Sequence, residues 1–153
     1  MSLETFLWTP RRSRWRWPLA LAAVAASVAH VPVVAPHLAE APYMGEEFIV
    51  LTVACALLAA TALIWDSTAV YVLSAATCGL AVIGYAATRL VEFPQLGDDV
   101  GNWFEPLGVV SVAAELVVVA TAICGLVLPK ADRPVAVPDR RRRVPVEMVG
   151  ARG

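Results

Sequence analysis

From Leu107 to Leu128 the chain reads LGVVSVAAELVVVATAICGLVL, an apolar run interrupted by a single ionisable side chain, Glu115. As a helix rising about 1.5 Å per residue, it is long enough to cross a hydrocarbon core of roughly 30 Å. A carboxylate at that depth costs several kcal/mol unless it is protonated, paired or turned towards a wet cavity. The other elements of the fold must therefore give Glu115 somewhere to face.

Three more apolar runs precede this one, about 18–34, 48–65 and 69–90, the last span being about 107–128. Hydrophobic residues make up 59% of the chain and charged residues 16%, against about 45–50% and about 25% in soluble domains. The pattern excludes an ordinary soluble domain. It predicts an all-α membrane protein, with four transmembrane helices in an antiparallel bundle over residues 18–128. Small residues recur at Ala22 and Ala26 and at Ala23 and Ser27, a spacing that lets another helix approach closely. The first run resembles a signal peptide, but it stays apolar up to Val34, which favours a retained span. Pro32 and Pro36 loosen its end.

The connections carry turn chemistry. His37 to Glu47 is expected to be the first outer loop, with Pro42 and Gly45 marking a turn and Glu46 and Glu47 just ahead of the next helix. Asp66-Ser67-Thr68 makes a tight hairpin in which Ser67 or Thr68 caps the next helix. Glu92 to Pro106 forms the second outer loop. There Asp98 and Asp99 cap a short turn, and Glu105-Pro106 opens the last helix.

Charge sets the orientation. Arg11, Arg12, Arg14 and Arg16 precede the first span in a Trp/Arg-rich interface segment, 1–17. Lys130, Arg133 and Arg140 to Arg143 follow the last span in a Pro/Arg-rich tail, 129–153. Arg89 is the only basic residue on the other side, so both termini are expected to be cytoplasmic, in a plasma (inner) membrane. The tail is expected to be disordered and drawn to anionic lipid headgroups rather than to nucleic acid. Arg11-Arg12 lacks the continuation of a twin-arginine signal.

Inside the spans, Glu115 lies about 12 Å and His30 about 6–8 Å from the outer ends. Arg89 stands at the outer end of the third span, one turn from Tyr85, with Glu92 on the same face. These depths allow an intramembrane polar cluster of His30, Tyr85, Arg89 and Glu115, which Thr52 and Ser111 can join. A satisfied hydrogen-bond network that fixes helix packing is the first reading, and a proton-linked site, a metal site or a haem pocket are the sharper ones. His37, Glu40, Glu46, Glu47, Asp98, Asp99 and Glu105 are the outer-loop polar candidates.

A metal ion would draw on His30 or His37 with Glu40, Glu46, Glu47 or Glu115, but the two histidines fall about 10 Å apart on a continuous helix. Haem lacks a second histidine within the spans, and Met1, Met44 and Met148 all fall outside them. Asp98, Asp99, Asn102 and Glu105 offer oxygen ligands without EF-hand spacing. No cofactor is predicted. Cys55, Cys78 and Cys124 lie in apolar runs and read as packing residues. There is no phosphate-binding glycine loop and no nucleophile elbow.

The stretches His30-Val31-Pro32, His37 to Gly45 (HLAEAPYMG) and Gly101 to Gly108 (GNWFEPLG) resemble those of small bacterial four-span membrane proteins of unassigned function. That resemblance covers the four-span region, implies no activity, and points to the two outer loops. The expectation is a non-enzymatic integral membrane protein acting as an accessory or interaction subunit, with a membrane-protein partner or as a homo-oligomer. A proton- or ion-linked transport component using a His/Arg/Glu relay is the alternative, and a metal- or haem-binding redox component a second one.

Overall fold

The computed structural model describes residues 2–128, so the tail from Pro129 onward lies outside the described residues. A short α1 (Leu3–Trp8) precedes four long helices: α2 (Arg16–Glu40), α3 (Pro42–Ile64), α4 (Thr68–Leu90) and α5 (Pro106–Val127). A 3-10 turn, Gly97–Asp99, sits between α4 and α5. No strand occurs among the described residues, only an isolated bridge between Pro10 and Ser67. All four long helices are long and apolar enough to cross a membrane.

Their packing is inverted relative to a soluble bundle. The interior is built from small residues, Ala20, Ala22, Ala23, Ala26, Ala59, Ala62 and Ala122, around Leu19, Tyr71 and Val118. Large apolar side chains such as Leu21, Val28, Leu57, Leu80 and Ile83 point outward and are exposed. In lipid, burying leucine against leucine brings little advantage over leaving it among acyl chains. Close backbone approach at small residues is what draws helices together. α2 packs on α3 and α5, and α4 packs on α5 and, less extensively, on α3.

Two helices run further than hydropathy predicts. The expected loop from His37 to Glu47 is absent: α2 continues to Glu40, α3 begins at Pro42, and only Ala41 intervenes. Pro32 and Pro36 lie inside α2 rather than ending it. Pro42 explains the break, because proline is at home in the first helical turn and pushes its predecessor out of the α region. Ala41 accordingly sits at φ −137°, ψ 84°, and its N–H donates to His37 O at 2.8 Å. Met44, Glu46 and Glu47 are therefore helical, not loop residues. The tight reversal brings α3 against the backbone of α2 at Gly45, where a Cβ would lie 2.6 Å from Leu38 N and 2.7 Å from Leu38 Cα.

At the opposite end, the chain ahead of α2 folds back onto the α3–α4 hairpin. Arg11 N–H donates to Asp66 O at 2.6 Å, Ser13 N–H to the Asp66 carboxylate, and Trp65 Nε1–H to Trp8 O at 3.0 Å. The Arg11 guanidinium reaches Gly125 O at 2.8 Å and lies 5.5 Å from the Tyr71 ring centroid. Arg11 is thus turned onto protein, whereas Arg12 and Arg14 are exposed. Ser67 is the N-cap of α4 by position, but its hydroxyl makes no capping bond.

Two glycines give a direct test of the close α2–α3 approach. Gly45→Ala is expected to destabilise the fold by about 1–3 kcal/mol, because the backbone of α2 must shift. Gly79→Ala meets nothing within 4 Å and is expected to be neutral or to stabilise by up to about 1 kcal/mol. Thermal unfolding of both variants in detergent would check this.

Candidate functional site: a polar chamber in one half of the bundle

The first requirement, a partner for Glu115, is met by α2. Glu115 Oε1 lies 3.1 Å from His30 Nε2, and both side chains are only 2% exposed. The other ring nitrogen, Nδ1, is 2.6 Å from Ala26 O, one turn earlier on α2. A carbonyl oxygen only accepts, so Nδ1 carries a hydrogen, and the network thereby assigns the tautomer. With Nδ1 protonated, the 3.1 Å contact holds a second proton, either on Nε2 as an imidazolium facing a carboxylate or on Glu115 facing a neutral imidazole. The pair is neutral overall in both arrangements, which is the inexpensive state for two buried ionisable groups. Ser111, four residues before Glu115, reaches Ala29 O at 3.4 Å.

A cavity of about 200 Å³ lies against this pair, with walls from α2, α3, α4, α5 and the α4–α5 connection. On its far side the Arg89 guanidinium, 6% exposed, pairs with the Asp99 carboxylate and donates from Nη1 to Asp99 O at 3.2 Å. Its centre lies 4.6 Å from the Tyr85 ring centroid. Arg89 Nε is buried and has no acceptor. The connection is held in place by the same residues: Gly101 N–H donates to Arg89 O at 2.9 Å, and Tyr85 Oη donates to Trp103 O at 2.9 Å. Gly101 has φ +78°, a left-handed conformation that suits glycine. Tyr43 Oη adds a bond to Pro94 O at 2.6 Å.

Glu105 is the N-cap of α5 and accepts from Leu107 N–H at 3.1 Å and from Gly108 N–H, with Pro106 in the first turn. Gly108 leaves room for Tyr85, whose Cε2 would be 2.6 Å from an added Cβ.

His30, Tyr85, Arg89 and Glu115 all line this one chamber, but as two pairs, His30–Glu115 and Tyr85–Arg89. No hydrogen bond joins the pairs among the described residues, so Arg89 is engaged by Asp99 rather than by Glu115. Thr52 stays apart, with its hydroxyl donating to Phe48 O at 2.7 Å. Glu92 lies past the end of α4, exposed, and leaves the face it was expected to share. Of the outer polar candidates, His37, Glu47, Asp99 and Glu105 line the chamber, while Glu40, Glu46 and Asp98 are exposed elsewhere.

The histidines do not converge. The Phe48 ring sits 5.8 Å from His30 and 4.8 Å from His37. Among the described residues, no three of His, Cys, Asp and Glu come together as metal ligands. Cys55 and Cys78 are core residues with their sulfurs 3.9 Å apart.

Several chamber residues escape a reading by hydropathy. Met44, Phe48 and Leu51 form one wall of α3. Their spacing of four and three marks a helical face once the helix is started at Pro42, and proline in the first turn was the available signal. Phe93, on the connection, had none. No known protein family, curated protein or solved structure matches the chain.

Removing one member of the buried pair leaves the other unpartnered. His30→Leu is expected to destabilise the fold by about 3–5 kcal/mol, and adding Glu115→Leu is expected to restore most of that loss. A double-mutant cycle on unfolding in detergent reads the coupling directly.

Proposed function

We propose that this protein is a non-enzymatic, multi-pass membrane protein that serves as the proton-linked component of a membrane assembly. The proton shared by His30 and Glu115 at the chamber wall is its working element. The observation that carries this reading is the hydrogen-bond geometry of that pair. Nδ1 is committed to a backbone carbonyl, so an exchangeable proton is held between Nε2 and the carboxylate. Intramembrane ionisable pairs beside a cavity are the usual parts of proton relays. Four spans are few for a complete carrier, which favours a homo-oligomer or a partner subunit. Arg89, Tyr85 and Asp99 hold the chamber's other wall rather than passing the proton.

In this reading the basic ends, residues 1–17 and 129–153, lie on the cytoplasmic side of the plasma membrane against anionic headgroups. The α4–α5 connection lies outside. The charge asymmetry supports it.

Vesicles containing the wild-type protein are expected to lose an imposed pH gradient faster than protein-free vesicles. Glu115→Gln is expected to remove at least nine-tenths of that increment. Equal decay with wild type and Glu115→Gln would overturn the proposal. For the topology, an impermeant thiol reagent on intact cells is expected to label Asp98→Cys and not Arg141→Cys in a background without native cysteines; the reverse pattern would reject the assigned sides.

A further inference from the structure

We infer that the open cleft between α2 and α3 binds one anionic phospholipid, with an acyl chain along the cleft and the phosphate on the Arg16 guanidinium. The inference rests on the membrane-spanning reading of these two helices and goes beyond the chamber, whose lining shares no residue with this cleft.

The cleft has a volume of about 380 Å³. Small buried residues, Ala20, Ser27 and Ala59, line it at depth, while Leu21, Val24 and Val28 stand exposed along it. Ser27 has no free donor to offer, because its hydroxyl donates to Thr52 O at 2.9 Å. Apart from the Trp17 indole, the rest of the lining is hydrocarbon. Such a slot accepts a flexible hydrocarbon and gives a polar ligand nothing to bind.

Its length fits a lipid chain. On α2 the lining runs from Trp17 to Val28, about 16 Å at 1.5 Å per residue. One leaflet of a hydrocarbon core of roughly 30 Å is about 15 Å deep. The cleft therefore follows an acyl chain from headgroup level to the bilayer midplane.

Charge at the mouth selects the headgroup. Trp17, the second residue of α2, lines the cleft at its terminal end, and tryptophan belongs at the membrane–water interface. The Arg16 guanidinium stands beside it, with Cζ 5.5 Å from the Trp17 ring centroid. Among the described residues, no carboxylate lies within ion-pair distance of Arg16. Its planar fork matches two oxygens of a phosphate. Arg12 and Arg14, exposed just ahead of α2, add to the positive field. A lipid of net negative charge answers that field, whereas a zwitterionic headgroup brings a cation of its own. A second copy of the chain is disfavoured as the occupant. Inserted the same way up, it would bring its own arginine-rich end against this one across a two-fold axis.

Native mass spectrometry of the full chain in detergent, titrated with palmitoyl-oleoyl phosphatidylglycerol or phosphatidylcholine, reads the first lipid bound. An arginine near an anionic surface is worth roughly fivefold in binding. Phosphatidylglycerol is accordingly expected to occupy one site per chain at least fivefold more tightly than phosphatidylcholine. Arg16→Gln is expected to cut that preference to about twofold and leave phosphatidylcholine unchanged. Ala60→Phe, at an exposed position on the lining, is expected to weaken first-site binding of both lipids at least tenfold. Ala56→Phe, also exposed on the lining, is read in its place should Ala60→Phe unfold.

Equal first-site affinity for the two lipids, an unchanged preference in Arg16→Gln, or unchanged first-site binding in the cleft-filling variant would overturn the inference. A dimer that the cleft-filling variant dissociates, with no lipid preference in the wild type, would overturn it in favour of a second copy. The pH-gradient measurement reads Glu115 and this titration reads Arg16 and the cleft, so either reading can fail alone.

Discussion

The contact between His30 and Glu115 constrains more of this molecule than any other. An acid placed well inside an apolar helix needs a partner on a facing helix at matching depth, and α2 supplies one 3.1 Å away. For the imidazole to meet the carboxylate, α2 and α5 must approach closely. The alanines at 22, 23 and 26 on α2 and at 122 on α5 line that interior. The Nδ1 bond to Ala26 then fixes the ring's orientation. Register, rotation and separation of the two helices are thus set together by one buried pair.

Linear depth was readable, and rotation was not. Counting residues from the helix ends placed His30 and Glu115 at compatible levels, and they do meet. The same counting placed Arg89 near them, yet its side chain is taken by Asp99, which from sequence looked like a turn cap. A hydropathy run records where lipid ends, not where hydrogen bonding ends. The apolar runs before Pro36 and after Glu47 therefore understated α2 and α3, which continue as helix through His37, Glu40, Glu46 and Glu47 with a break only at Ala41. The opening of α5 was legible because Glu105-Pro106 is both a cap and a first-turn signal. Met44 joins the chamber wall only because α3 starts at Pro42, ahead of the apolar run.

The segment before α2 illustrates a competition for arginine. From composition, Arg11, Arg12, Arg14 and Arg16 all suit phosphate headgroups. The α3–α4 hairpin, however, buries Asp66, and α5 ends with carbonyls that no further turn satisfies. Arg11 answers the second with its guanidinium on Gly125 O, while its N–H binds the Asp66 main-chain carbonyl and Ser13 N–H takes the Asp66 carboxylate. A cation at the negative end of a helix dipole is favourable on general grounds. Nothing in the local sequence separates Arg11 from its neighbours; the distinction arises only when distant elements fold together.

Ala41 carries a mechanical consequence. With one residue between them, and the backbone of α2 seated against Gly45, α2 and α3 cannot slide or splay at that end without breaking the reversal itself. They behave as a single stiff post. α4 has a slimmer seam with α3 and a fifteen-residue strap, 91–105, tying it to α5. Any widening of the bundle is therefore expected first at the slimmer α3–α4 seam, with α2 and α3 held together at the Ala41 end.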